Sequence, residues 1–246
     1  MFSLSKAMGH LFRLRMLLWV FVLIMILGEA YCQTQKKKSS AVLPANADEM
    51  AFYPYIDEVS KRIITDYAAK HPQKLIVIDK TAMKLYFYEK GQLQTGYPIP
   101  IALGSDAVNP KLQSGDGRTP EGEFYLYSKV SGHSEFAYFM GISYPNKLDA
   151  ERGLKSGLIT KKQYNQITSR LANNQRPTMN TALGGEIGIH TVLSNSTISY
   201  GDVTGSNWTL GCIALEYMDM QKLFGQVKMA TKVLIIGETY KKNHSL

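Results

Sequence analysis

The sequence predicts a mainly β fold with inserted helices. From residue 75 onward, apolar residues recur with a period of two in several short segments, which is typical of strands. Polar turns or a glycine separate these segments, as at Gly91. With 246 residues, 45% of them hydrophobic, the chain is long enough to bury one substantial core plus a smaller appendage.

The first thirty residues are typical of an export signal. Three basic residues precede an apolar run that is short for a membrane span: Lys6, Arg13 and Arg15, followed by Met16 to Leu27. Gly28 and Ala30 are small residues at the positions that a signal peptidase inspects, so we expect cleavage after Ala30. The alternative is an uncleaved anchor, with residues 1–30 as the only membrane contact. Either way, we expect an exported protein in the periplasm or cell envelope.

The chain is basic, with a formal net charge of +8. Removing residues 1–30 takes away three basic residues and one acidic residue, which leaves 25 Lys plus Arg against 19 Asp plus Glu, or +6. Such a charge favours polyanionic surfaces, including phospholipid headgroups and an anionic cell wall. Basic and aromatic residues are not interleaved in the pattern that stacks bases, so no nucleic-acid partner is expected.

Two segments precede the first predicted strand. Residues 31–45 are polar and rich in lysine, which predicts a tether. Residues 46–73 are predicted to be helical, because Asn46 and Glu49 match a capping box. Apolar residues at helical spacing continue the pattern: Ile56, Val59, Ile63 and Tyr67. His71 precedes a proline at the predicted end of the helix, so we expect it to be a solvated cap.

The main folded domain is predicted to cover residues 74–238. Its strand candidates are residues 75–79, 84–90, 92–104, 124–130, 186–190 and 232–237. The first three should be antiparallel, because only short turns separate them. A helical hairpin is predicted at about 149–174, where Thr160 and Gln163 fit a second capping box. Residues 239–246 are predicted to be a basic tail.

The sequence contains two cysteines, Cys32 and Cys212. We expect no disulfide between them, since one lies beside the export segment and the other deep in the folded domain. The bulky Tyr31 argues against lipidation of Cys32. Cys212 is either a nucleophile or a small buried core residue. Gly211 would let the backbone approach a substrate, and a helix predicted soon after Cys212 would bring backbone N–H groups and a positive dipole end near the thiol.

A cysteine nucleophile needs a base. His190 is the best candidate because it ends the apolar strand EIGIH, where a side chain can be held rigidly; the alternative is an ordinary core histidine. His133 lies in a loop-like segment and His244 in the predicted tail, so neither is expected to be catalytic. One cysteine and one histidine are too few ligands for a metal site, and neither a metal nor a cofactor is expected.

Four motifs occur in order along the chain: GDGRTPEG at 115–122, ISYPN at 142–146, LGGEIGIH at 183–190 and WTLGCIAL at 208–215. Together they closely resemble the L,D-transpeptidase catalytic domain family, also called YkuD domains, and in particular its murein-acting branch with a cysteine motif ending in CIAL. The resemblance covers roughly residues 75–237. It implies a β-sandwich-like catalytic domain with the cysteine at the rim of a sheet.

The resemblance also implies catalytic roles for particular residues. Cys212 would attack the substrate, and His190 would take its proton. The backbone carbonyl of Thr191 would orient the histidine. Backbone N–H groups around Leu210, Gly211 and Cys212 would form the oxyanion hole.

Five residues are expected to contact substrate: Arg118, Tyr144, Trp208, Thr209 and Leu210. Arg118 would bind a substrate carboxylate or, as the alternative, pair with Asp116 or Glu121. Aromatic residues beside core strands are often packing residues, and this is the alternative for Tyr144 and Trp208.

The chain departs from the wider family pattern at three positions. Leu210 stands where many members have a histidine, Ala214 where an arginine is common, and Thr191 where a glycine often follows the catalytic histidine. The interval from Thr191 to Asn207 is long and is a candidate lid or specificity loop. Details of the substrate therefore transfer poorly from the family.

The resemblance and the export signal together imply peptidoglycan stem peptides as the substrate. Attack on the L,D bond after the diamino acid would release the terminal D-residue and leave a thioester on Cys212. An amine acceptor then gives transpeptidation. Water gives an L,D-carboxypeptidase, or a hydrolase that releases a wall-attached protein from the same bond. A non-catalytic wall-binding module is the alternative from a different class.

Overall fold

The structure of the protein is a computed structural model that describes residues 56–132, 136–191 and 203–244. Within these residues nine strands form one sheet. The strands are β1 Leu75–Asp79, β2 Lys84–Glu89, β3 Gln92–Leu93, β4 Ile99–Pro100, β5 Gly122–Ser131, β6 Tyr138–Ile142, β7 Gly188–His190, β8 Ile213–Ala214 and β9 Lys232–Ile236. The helices are α1 Glu58–Lys70, α2 Lys147–Lys155, α3 Lys161–Ala172, α4 Tyr217–Gln226 and α5 Glu238–His244. A mainly β fold with helices is thereby confirmed.

The sheet is mixed, and its strand order is β3-β2-β1-β9-β5-β6-β7-β8, with β4 also paired to β2. The long strand β5 joins its two halves. Residues Gly122 to Tyr125 pair with β9, and after a bulge between Leu126 and Ser128 the strand pairs with β6. A bulge bends a strand, so the two halves curl toward each other and enclose a common core, as in a sandwich.

Both faces of the central strand β1 are buried, because each faces a different hydrophobic cluster. Ile76 and Ile78 point into the main core, which also includes Met140 of β6 and Ile213 of β8. The alternate residues Leu75 and Val77 pack instead against α1 and α5. Each such fully buried side chain contributes about 1.5–3 kcal/mol relative to an exposed one.

The two ends of the described domain differ from the sequence-based expectation. The described helix begins at Glu58, where the Asp57 side chain accepts a hydrogen bond from the Ser60 amide at 2.9 Å; Asn46 and Glu49 lie outside the described residues. The predicted basic tail is wrong, because residues 238–244 form α5. Lys241 is buried there and donates to the Asp57 carboxylate at 2.7 Å, which ties the last helix to the first.

The strand predictions were accurate for β1 and β9 and failed where the chain turns or pairs only briefly. The predicted strand 92–104 is reduced to β3 and β4, because Gly96 adopts a positive φ of 82° between them. Neither β6 nor the two-residue β8 was predicted. The first strands are antiparallel as predicted, whereas β1 pairs with β9, and β7 with β8, in parallel.

The predicted helical hairpin is confirmed as α2 and α3. Thr160 and Gln163 form the expected capping box, and Asn146 with Asp149 forms another at the start of α2. The hairpin contacts the segment that precedes the 115–122 motif, because Arg152 donates to the carbonyls of Lys111 and Leu112.

Among the residues that the structure describes, no helix has the length and apolar character needed to cross a membrane. The apolar segment 16–27 lies outside the described residues.

Candidate active site

The pairing of β7 with β8 places the candidate nucleophile and base together. These strands run in parallel, with Ile189 opposite Ile213 and His190 opposite Ala214. Cys212 immediately precedes β8. Because side chains alternate along a strand, Cys212 shares a face with Ala214 and therefore with His190, while Ile189 and Ile213 point into the core on the other face.

The segment that precedes and contains β8 is held on its other side by residues 102–105. Ala102 and Ala214 exchange two backbone hydrogen bonds, of 2.9 and 2.8 Å. At the start of the motif the Thr209 amide donates to the Leu103 carbonyl at 3.1 Å, and the Ser105 amide donates to the Thr209 carbonyl at 3.0 Å. The cysteine turn is thus fixed at both ends by backbone hydrogen bonds.

Gly211 forms the turn before the cysteine and has a positive φ of 130°. A Cβ at this position would lie 2.5 Å from the Arg118 carbonyl oxygen, so only glycine fits. The Gly211 amide donates to the Thr209 hydroxyl at 3.1 Å, and that hydroxyl donates to the Cys212 carbonyl at 2.7 Å. The Gly211 N–H is thus engaged within the turn, and the buried Thr209 side chain stabilises it; Thr209 also lines a cavity together with Cys212.

The Cys212 thiol donates a weak hydrogen bond to the Glu186 carbonyl, with 3.6 Å between sulfur and oxygen. Cys212 is partly exposed at a cavity wall, yet the atoms around its sulfur are dense enough that burial raises the thiol pKa. The Gly188 backbone and the Lys111 charge act in the opposite direction. The expected helix dipole is not at the thiol, because β8 follows the cysteine and α4 begins only at Tyr217.

The His190 ring is almost completely buried. Burial lowers its pKa to about 4, and a smaller effect of the Thr191 backbone opposes this. Aromatic rings enclose the imidazole: Phe136 lies 4.3 Å and Trp208 5.9 Å from it, centroid to centroid. Among the described residues, no hydrogen bond of ordinary geometry reaches His190 Nδ1, so the Thr191 carbonyl interacts with the ring only weakly.

The pKa shifts of both groups favour uncharged forms. A thiol with a raised pKa and an imidazole with a pKa of about 4 are both neutral at pH 7. The resting pair is therefore thiol and imidazole rather than thiolate and imidazolium. A neutral imidazole has a ring nitrogen that can accept a proton.

Cys212 borders two cavities. The first, of about 500 Å³, is also lined by His190 and by the exposed side chains of Trp208 and Leu210. The second, of about 400 Å³, is also lined by Tyr127 and Arg176. The residues common to both cavities are Phe136, Glu186 and Cys212. Cys212 therefore lies where the two cavities adjoin.

Two expected substrate contacts have other roles in the structure. Tyr144 is completely buried and its hydroxyl donates to the Leu183 carbonyl at 3.0 Å, so it is a core residue and lines neither cavity. Arg118 Nε donates to Asp106 at 2.8 Å, and neither predicted partner receives its guanidinium. Those two carboxylates pair with lysines instead, Asp116 with Lys111 and Glu121 with Lys80.

Several lining residues were not predicted from sequence: Lys111, Phe136, Arg176 and Glu186. Glu186 belongs to the LGGEIGIH motif, and its position beside a predicted catalytic strand was a usable signal. The others come from loops that are distant in sequence, and no local pattern marks them.

Of the other histidines, the two that the structure describes do not line these cavities. His71 and His244 each stack on a tyrosine four residues earlier, at the ends of α1 and α5. His133 and residues 192–202 of the candidate lid lie outside the described residues. Within the described ranges, no three His, Cys, Asp or Glu side chains are grouped so that they could hold a metal ion.

The family model of the YkuD L,D-transpeptidase catalytic domain matches residues 73–235. This match covers more than half of the 246 residues, and the chain therefore belongs to the YkuD L,D-transpeptidase family. No curated protein matches the chain.

Similar solved structures include the helical cell shape determining protein Pgp2 from Campylobacter jejuni, with 19% identity and a TM-score of 0.43 over 74% of this chain and 60% of that one. An L,D-transpeptidase mutant from Enterococcus faecium has 18% identity and a TM-score of 0.39, over 67% and 50% of the two chains. An L,D-transpeptidase from Stackebrandtia nassauensis has 14% identity and a TM-score of 0.38, over 76% of this chain and 72% of that one. The chain spans about half to three fifths of the length of the first structures it matches.

Because Cys212 and His190 are both neutral at pH 7, the charge of the imidazole and the reactivity of the thiol should each depend on pH in a particular way. In a Cys32→Ser background, nitrogen NMR should show the His190 ring neutral at pH 7 and protonating near pH 4, since burial disfavours the imidazolium. Alkylation of Cys212 by iodoacetamide should be slow at pH 7 and accelerate only above the ordinary thiol range of about 8.5. Fast alkylation at pH 7 together with a charged ring would instead reveal an ion pair.

The turn before the cysteine predicts that Gly211→Ala is harmful. The added Cβ meets the Arg118 carbonyl and the φ is unsuited to alanine, so we expect a loss of about 2 kcal/mol or more in the free energy of unfolding. Gly225→Ala is the matched control, because its Cβ meets nothing within 4 Å and it lies in α4; it should stabilise by about 0.5–1 kcal/mol. Equal urea midpoints for the two variants would contradict this view of the turn.

Proposed function

We propose that this chain is a cysteine-dependent L,D-transpeptidase that acts on peptidoglycan stem peptides through a thioester, in remodelling of the cell wall. The observation that best supports this is the position of Cys212 between two cavities, with His190 on the wall of the first. Family membership supports the same reaction class. We also propose that the protein is exported and works in the periplasm or cell envelope.

In the first step, His190 accepts the thiol proton as the sulfur of Cys212 attacks the carbonyl carbon of the diamino acid. The C–N bond to the terminal D-residue then breaks, and His190 returns the proton to the departing amine. The products are a free D-residue and a thioester on Cys212. Starting from a neutral pair, proton transfer and sulfur attack proceed together, and no stable buried charge has to form first.

The tetrahedral intermediate needs hydrogen-bond donors for its oxyanion. Since the Gly211 amide is engaged by the Thr209 hydroxyl, the backbone amides of Leu210 and Cys212 are the donors we propose. Trp208 and Leu210 are proposed to contact the stem peptide, because both are substantially exposed in the first cavity. An apolar, exposed side chain at Leu210 suits the aliphatic part of a peptide.

In the second step an amine of a neighbouring stem attacks the thioester, which forms a new amide and restores the thiol. Two cavities at one thiol favour this transfer, because acyl group and acceptor can be bound at once. Hydrolysis is the alternative: water in place of the amine gives an L,D-carboxypeptidase, or releases a wall-attached protein. A non-catalytic wall-binding module would have no need of a thiol and an imidazole held by the backbone at a shared site.

Mass spectrometry of the protein with tetrapeptide muropeptides tests this function. Wild type should gain the mass of the acyl group, and Cys212→Ala should gain none. His190→Ala should slow acylation by about 10²- to 10⁴-fold, because a positioned base is lost. With an added amine acceptor, cross-linked dimers or acceptor adducts are expected.

The possible outcomes separate the alternatives. Shortened monomers alone, even with acceptor in large excess, would identify a hydrolase. Full turnover by Cys212→Ala would refute the cysteine mechanism. Gly225→Ala serves as a control variant, since Gly225 lies in α4 and lines neither cavity, and it should leave acylation unchanged.

A further inference from the structure

We propose that Arg176 forms a carboxylate-binding subsite in the second cavity, which takes the α-carboxylate of the D-residue released when Cys212 is acylated, and that of an acceptor whose amine is carried by a carboxylate-bearing carbon. The inference rests on the acyl transfer proposed above and deepens it. It assigns a specificity-determining residue to the inserted helical hairpin region, outside the four sequence motifs.

The guanidinium of Arg176 has poor hydrogen-bond partners. Its Nε and Nη2 approach the Met179 sulfur at 3.1 and 3.0 Å, and a thioether is only a weak acceptor. The side chain is half-exposed. A carboxylate could take both of these donors in the bidentate geometry for which a guanidinium is best suited.

One anion already contacts Arg176. Its Nη2 lies 3.1 Å from the Glu186 carboxylate, and both side chains are largely exposed, at 51% and 77%. Exposed ion pairs of this kind are weak, so a substrate carboxylate can compete for the guanidinium. Tyr127 lies beneath it, with the guanidinium carbon 5.6 Å from the ring centroid, and this contact keeps the cation at the cavity when Glu186 moves away.

The other cation near the thiol is not available. Lys111 lines the first cavity, but it is buried, and its Nζ donates to Asp116 at 2.7 Å and to the Gln113 carbonyl at 3.1 Å. Among the described residues that line the two cavities, Arg176 is therefore the cation with exposed and weakly used donors.

The position of Arg176 fits the departing residue. In a terminal amino acid the carboxylate carbon is only two bonds from the amine nitrogen, so a group that binds it must lie close to the scissile bond. Glu186 links the thiol to Arg176. Its backbone carbonyl accepts the hydrogen bond of the Cys212 thiol, and its side-chain carboxylate pairs with Arg176. An acceptor amine of a neighbouring stem whose carbon also bears a carboxylate attacks along the reverse of this departure, so the same cation serves both.

The test compares two peptides that differ in one group, a tetrapeptide with a C-terminal carboxylate and its C-terminal carboxamide. Binding to Cys212→Ala protein is measured by calorimetry, and acylation by intact mass. In both measurements the carboxylate peptide should be favoured about tenfold. Arg176→Ala should abolish this preference by weakening the carboxylate peptide alone, and Arg176→Lys should restore part of it.

Lys155→Ala is the matched control, because Lys155 is an exposed cation of the same hairpin that lines neither cavity; it should keep the full preference. A preference that survives in Arg176→Ala would overturn the subsite. Because calorimetry requires no reaction, it tests carboxylate binding by Arg176 even if wild type forms no thioester. Failure to form a thioester would refute the proposed function separately. If Arg176→Ala binds the carboxamide peptide and is acylated by it as wild type is, the variant is folded.

Discussion

The candidate site depends on one short pairing, that of β7 with β8. Two residues of parallel strand are marginal by themselves, and two other contacts maintain them. Ile189 and Ile213 are fully buried in the main core, which contributes about 1.5–3 kcal/mol for each side chain. On the other edge, Ala102 exchanges backbone hydrogen bonds with Ala214. A shift of one residue in this register would turn Cys212 away from the face of His190.

Burial also determines the charge state of Cys212 and His190. The aromatic rings and the core around His190 exclude water, so the imidazolium is disfavoured, and the dense surroundings of Cys212 disfavour the thiolate. An exposed pair would be easier to ionise but also easier to oxidise or alkylate. In this arrangement a neutral thiol lies at the wall of both cavities.

The sequence predicted those features that depend on local patterns. The alternating apolar strands, the capping box at Thr160 and the motif cysteine needed no tertiary information. Features created by contacts between distant segments were missed. Lys241 looked like part of a charged tail because its partner Asp57 is 184 positions away, and the core position of Tyr144 depends on Leu183. Arg176 reaches the second cavity only after the hairpin has folded against the sheet.

The sheet itself holds the cysteine turn beside His190. Hydrogen exchange at individual amides tests it most directly, because the amides of Ala102, Ala214 and Leu215 all donate backbone hydrogen bonds in this clamp. They should exchange as slowly as the amides of the central strand β1, through global unfolding. Exchange of these three amides on the timescale of exposed turns, while β1 remains protected, would contradict the claim.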